Sequence, residues 1–165
     1  MNRYVSTLVV TASLGIGQLA FAATQTSNFQ VTAIVGTTCT IAVPASLAFG
    51  TYDPLSPSAL NGSTTLNINC TASAPVTIDI NEGTTAAAGS SPAVPQRQMA
   101  SGLNRLKYFL YQDAGLTTIW GAGASTQNYV GTGASQALTI FGQIPAAQAE
   151  PAGAFADPVI ATVTF

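Results

Sequence analysis

The amino-acid sequence predicts an all-β sandwich that is one strand short of complete. Three observations carry that expectation. Short alternating runs recur at spacings near ten residues, divided by Gly, Pro, Asn and Asp, with no helical period outside the N-terminal stretch. The last residues, Pro158 to Phe165, alternate at period two, with Val159, Ala161, Val163 and Phe165 on one face and Ile160, Thr162 and Thr164 on the other. No turn and no partner strand follow, so this strand is expected to leave an edge of unpaired backbone. A second alternating segment, Phe29 to Val35, lies near the other end. An open edge and a spare strand suggest a chain that completes itself by polymerising.

The first 22 residues read as a signal peptide. Arg3 opens it, an apolar stretch runs from Val5 to Leu19, and Ala20-Phe21-Ala22 matches the small-x-small cleavage pattern. Cleavage after Ala23 would put Phe21 where a small residue is needed. The stretch is too short and too flecked with polar residues for a transmembrane helix, and no later segment is apolar for long enough. The expectation is Sec export without stable membrane insertion.

Residues 23–35 form an N-terminal extension: Thr24 to Ser27 is polar, then Phe29, Val31, Ala33 and Val35 share one face until Gly36. Residues 36–165 make one domain by size. Within it Thr38 to Val43 alternates up to Pro44, and Leu47 to Gly50 is a short strand closed by Asp53-Pro54. Thr64 to Cys70 places Leu66, Ile68 and Cys70 inward. Val76, Ile78 and Ile80 form the next strand, turned by Asn81-Glu82-Gly83. Thr84 to Ala100 lacks a period and reads as a long loop. Arg105 to Gln112 is one aromatic strand with Leu106, Tyr108 and Leu110 on a common face. Asp113-Ala114-Gly115 turns it into a short strand, Thr117 to Trp120. Gly121 to Gly133 is a glycine-rich loop, Gln136 to Ile144 a strand cut by Pro145, and Phe155 to Phe165 the final strand. The strand count suits an immunoglobulin-like fold whose last strand is missing.

Composition narrows the function. The chain has four basic and six acidic residues, no His and two Cys. So few charges, with Ala, Thr, Ser and Gly in their place, suit a surface packed against copies of itself; a plain secreted protein with a Thr/Ser-rich exterior is the alternative. No basic patch exists, which argues against nucleic-acid binding. Cys39 and Cys70, an even pair in an exported chain, predict a disulfide. A metal or free-thiol reading lacks further soft ligands, and no metal or cofactor is expected. Without a His or a free Cys, nucleophilic catalysis has no machinery. Asp79 and Glu82 could be imagined as a carboxylate pair but read as a solvated turn, and no calcium loop is visible. Asn61-Gly62-Ser63 fits a glycosylation sequon to which no role is given. Asp53 and Asp157, each before a Pro, read as turn starters. Tyr108, Phe109, Tyr111 and Trp120 could line a sugar-binding face, but such residues more often fill a core. No enzymatic activity is expected.

Several stretches resemble the spore coat U domain family. Tyr108 to Ala114 followed by Thr117 to Trp120 is similar to its aromatic strand, turn and short strand. Phe141-Gly142-Gln143-Ile144-Pro145 is similar to a later strand motif. Gly153 to Asp157 with Val159 to Phe165 resembles the C-terminal signature. Thr38-Cys39-Thr40 and Leu47 to Thr51 resemble the opening. The resemblance runs in order through the whole mature chain. The family includes subunits of archaic (Csu-type) chaperone–usher pili, so the resemblance implies an incomplete immunoglobulin-like sandwich lacking its final strand, completed by donor-strand complementation. It implies three partners: a periplasmic pilus chaperone that lends a strand, an outer-membrane usher, and neighbouring pilin subunits. It also implies passage through the periplasm into a cell-surface fibre used in biofilm formation and attachment. Phe29, Val31, Ala33 and Val35 match the donor strand, though Ala33 is small for a pocket-filling position. Val159, Ala161, Val163 and Phe165 match the strand that borders the groove and pairs with the chaperone. Cys39 and Cys70 match the family disulfide. Alternatives remain: the N-terminal strand could fold back in cis to make a self-contained secreted binding module or adhesin, or the same polymer could serve in a spore or outer coat.

Overall fold

The structure, a computed structural model, describes residues 22–43 and 45–165. The expected signal peptide, apart from Ala22, lies outside the described residues. The chain divides after Ile34. In the first unit residues 22–34 carry neither strand nor helix, and every one is exposed.

Among its described residues the second unit holds nine strands: β1 (Cys39–Ala42), β2 (Leu60–Cys70), β3 (Pro75–Ile80), β4 (Gln98–Ser101), β5 (Asn104–Lys107), β6 (Phe109–Tyr111), β7 (Gln127–Val130), β8 (Gln136–Ile144) and β9 (Ala161–Thr164). They form an antiparallel four-stranded sheet, β1-β2-β8-β6, and a three-stranded sheet, β7-β3-β9, with β4-β5 as a separate hairpin. No α-helix occurs among the described residues. One core joins the two sheets, built from the inward residues of alternating strands: Leu66, Ile68 and Cys70 of β2, Val76, Ile78 and Ile80 of β3, and Ile140 and Ile144 of β8. Trp120 closes it. Its ring is buried and its indole N–H donates to the carbonyl of Ile78 at 2.9 Å, which satisfies the one polar atom that burial would otherwise strand. This is the expected incomplete immunoglobulin-like sandwich, with open sheets.

Cys39 and Cys70 face each other across β1 and β2, with Cα atoms 4.1 Å apart, and form the expected disulfide. The strand Gln136 to Ile144 has the expected bounds, and β2 starts earlier than expected, at Leu60.

Several expectations change. Leu47 to Gly50 is not a strand. Its side chains instead fill a hollow in the first sheet, where the inward positions Gly62 and Gly142 pair with each other. A Cβ on Gly142 would lie 2.8 Å from both Leu47 and Phe49. Second, the loop from Thr84 ends in β4, whose sequence Gln98-Met99-Ala100-Ser101 does not alternate and which is held by pairing with β5. Third, Arg105 to Gln112 is two strands. β5 pairs with β4 and β6 with β8, and the change of partner falls at Tyr108, whose N–H donates to the carbonyl of Arg97. Finally, the glycine-rich stretch contains β7, and Thr117 to Trp120 makes only a bridge from Ile119 to Tyr111.

Asp113 caps the turn before that bridge. Its carboxylate accepts from the N–H groups of Thr117 and Thr118, which holds its pKa below the ordinary carboxylate value.

Candidate functional site

The last strand is an edge. β9 pairs with β3 through Ile80↔Ala161 to Thr77↔Thr164, and its other side has no partner among the described residues. Alternation sets its faces as expected. Ala161 and Val163 pack on the core, while Thr162 and Thr164 point outward. Val159 precedes the strand, 41 % exposed, and Phe165 follows it, 56 % exposed. Of the four residues assigned to this wall, Val159 and Ala161 line the groove beside the edge, whereas Val163 packs on the core and Phe165 stands open away from that lining.

Beside this edge runs a groove of about 460 Å³. One wall is the C-terminal segment from Phe155 to Ala161, and the other is Val43 with Leu47 and Phe49. Its floor is the core itself, where Ile80, Leu110 and Ile140 line the groove. A second cleft of about 620 Å³ continues from it past Leu47, Phe49, Met99 and Phe155 to Tyr52 and Pro151. An apolar interior reached by an open cleft is what a sandwich shows where one strand's worth of side chains is missing.

A polar cluster fastens the groove's C-terminal wall. Asp157 stands in the groove. Its Oδ1 accepts from the backbone N–H of Thr84 at 2.8 Å and from Thr84 Oγ1 at 3.0 Å, and its Oδ2 accepts from the Tyr108 hydroxyl at 2.6 Å. Gly83 adopts φ +80°, and a Cβ there would fall 1.9 Å from Asp157 Oδ2, so glycine is required on both counts. Asn81 then ties down the next residues. Its Oδ1 accepts from the Ile160 N–H at 2.8 Å and its own N–H donates to the Ile160 carbonyl at 3.0 Å. Upstream, Ala100 and Ala156 exchange both backbone bonds. These bonds, together with the missing N–H of Pro158, explain why the regular strand begins only at Ala161 and not at Phe155.

Arg97 backs this cluster from inside. It is 1 % exposed and donates to the carbonyls of Ile80 and Asn81 at 2.7 and 2.8 Å, while its Nη1 has no partner. Burial lowers its pKa to about 10 against the attraction of Tyr108, Asp157 and Glu82. The Tyr108 phenol is pushed well above its ordinary value, first by burial and then by its hydrogen bond to Asp157. The aromatics expected in the core are there for Tyr108 and Trp120, with Phe49 packed edge-on against Tyr108.

The four residues assigned to a donor strand, Phe29, Val31, Ala33 and Val35, are exposed, in a stretch without regular structure up to Thr38. The fastening cluster has no sequence signature. A lone Asp157 before Pro158 reads as a turn starter, and nothing in the spacing of Asn81, Thr84, Arg97, Tyr108 and Asp157 shows that they meet. Among the described residues no group of His, Cys, Asp and Glu could hold a metal, and no helix is long and apolar enough to cross a membrane.

Comparison with known proteins adds three findings. The profile of the Spore Coat Protein U domain matches residues 25–162. Protein U of Myxococcus xanthus is 37% identical over 172 aligned positions, covering 98% of this chain and 96% of that protein. Among solved structures, a crystal structure of the CsuC–CsuE chaperone–tip adhesion subunit pre-assembly complex, from archaic chaperone-usher Csu pili of Acinetobacter baumannii, superposes with a TM-score of 0.57 at 24% identity. That match covers 79% of this chain and 40% of the solved one, and it bears on the fold.

Proposed function

The chain belongs to the Spore Coat Protein U domain family, and from that premise we propose that it is a non-enzymatic structural subunit of an archaic chaperone–usher pilus. The groove beside β9 carries this reading, because its floor is hydrophobic core and one wall is the C-terminal segment that leads into the edge strand β9. An incoming strand would pair with the edge through its backbone and place every second side chain on the core. The exposed segment of a second copy, with Phe29, Val31, Ala33 and Val35 on one face, has the right alternation. Each large apolar side chain so buried contributes roughly 1.5–3 kcal/mol before the cost of association. Before assembly, a periplasmic chaperone would lend the strand, the kind of partner named for the solved relative. An outer-membrane usher would then exchange it for the next subunit's segment. Sec export, a cell-surface fibre, and a role in biofilm formation and attachment complete the proposal.

The family's own description favours a second reading, in which the same strand-exchange polymer builds a spore or outer coat. Immunogold labelling of intact cells separates the two: label on fibres supports the pilus, and label in a continuous layer supports the coat.

The mechanism itself is tested on purified mature chain with and without residues 23–35, by size exclusion and thermal melting. Full-length chain is expected to form heat- and detergent-resistant multimers. The truncated chain is expected to stay small and to be stabilised by an added peptide of residues 23–35. Equally stable monomers from both forms would overturn strand exchange and leave a self-contained binding module.

A further inference from the structure

Building on the groove as a strand acceptor, we propose that Asp157 determines which strand is accepted: it bars a strand that places a carboxylate beside it and admits one that is neutral or cationic there. The groove is apolar along Leu47, Phe49, Ile80, Leu110, Ile140 and Val159, yet one acidic side chain stands in its wall. That carboxylate is pinned. Thr84 holds Oδ1 through two bonds, Tyr108 holds Oδ2 through one, and Gly83 closes against Oδ2 from the far side. Swinging away from an arriving strand would break all three hydrogen bonds. Its charge is also not cancelled by a direct ion pair. Arg97, which attracts Asp157 through space, directs its Nε and Nη2 to the carbonyls of Asn81 and Ile80 and makes no ion pair with it among the described residues, and Glu82 adds a further negative charge to the same neighbourhood.

Once a strand fills the groove, water leaves and the effective dielectric falls, so a second carboxylate facing Asp157 is repelled far more strongly than on an open surface. The occupant that fits is the N-terminal segment of another copy of this chain. Between Arg3 and Asp53 the sequence has no charged residue at all, and all six acidic residues lie at Asp53 or beyond it.

The test uses mature wild-type chain and peptides of residues 23–35 carrying Asp, Asn or Lys at each position from 25 to 35 in turn. Each peptide competes with a fluorescent wild-type peptide. At one position the Asp peptide is expected to bind roughly tenfold or more weakly than the Asn peptide, while the Lys peptide is no weaker than Asn. At the other positions Asp and Lys should be impaired alike. In Asp157→Asn chain the Asp–Asn gap at the special position should close. A gap at no position, or a gap that persists in D157N, overturns the assignment. If D157N does not fold, the Asp–Lys asymmetry on wild-type chain decides alone. If the wild-type peptide itself fails to bind, the acceptor groove is wrong, and this role for Asp157 goes with it.

Discussion

Gly83, Tyr108 and Asp157 show how much of the groove depends on single atoms. Gly83 combines a left-handed backbone with a Cβ direction that ends on a fixed carboxylate. Gly83→Ala should therefore cost about 1–3 kcal/mol, read as a lower urea midpoint with an unchanged slope. An unchanged midpoint would mean that the turn relaxes freely. Tyr108 makes a pH-dependent contribution. Its phenol is buried and donates to Asp157, so its folded pKa lies above the ordinary value of 10.0. The unfolded chain then releases this proton first. The stabilisation is fully present below pH 10 and is lost as the pH rises from there toward the folded value. Wild-type chain should thus lose stability relative to Tyr108→Phe above pH 10, and parallel curves for the two chains in that range would contradict it.

Among the elements, legibility follows how a strand is stabilised. β8 alternates Leu138, Ile140, Gly142 and Ile144 toward the interior, so its bounds are readable from residue types alone. β7 inverts that logic: Val130 points outward and is 62 % exposed, while Gln127 and Tyr129 face inward. A polar residue on the inner face and an apolar one outside erase the period, and pairing with β3 decides the strand instead. Leu47 to Gly50 has a strand's composition, but two cross-strand glycines make a hollow that its side chains fill without backbone pairing. In the groove's lining, Val159 and Ala161 are legible as alternating apolar positions for the same reason as β8, whereas Leu47 and Phe49 line it from a segment whose composition reads as a strand. Its polar fastening is not, because residues 81, 84, 97, 108 and 157 are brought together only by tertiary packing. β1 is the element most dependent on a covalent tie. Among the described residues it pairs only with β2, over four residues, and the disulfide closes a sequence separation of 31. Replacing both cysteines by Ala should destabilise the chain by about 3–4 kcal/mol in a denaturant titration. An unchanged midpoint would show that β1 is held by its pairing with β2 alone.

For the molecule as a whole, the proposed strand exchange would make each copy a two-ended object, with a segment to give and a groove to fill, and the two ends can be disabled separately. Val31→Asp would have to bury an unpartnered charge in a neighbour's groove, so it should stop giving while its own groove stays intact. Val159→Asp places a charge on the groove wall at a residue that is 41 % exposed, so the monomer should tolerate it while the groove stops accepting. Neither variant alone should then polymerise. Mixed in equal amounts, they retain one compatible junction, the wild-type segment of the V159D chain in the wild-type groove of the V31D chain. The pair formed in this way offers only a disabled segment and a disabled groove, so growth should end at two. Size exclusion coupled to light scattering should show monomers from each variant and a heterodimer from the mixture. Monomers in the mixture would mean that the segment of one copy does not enter the groove of another, and long polymers from either variant alone would mean that Val31 or Val159 lies outside the junction.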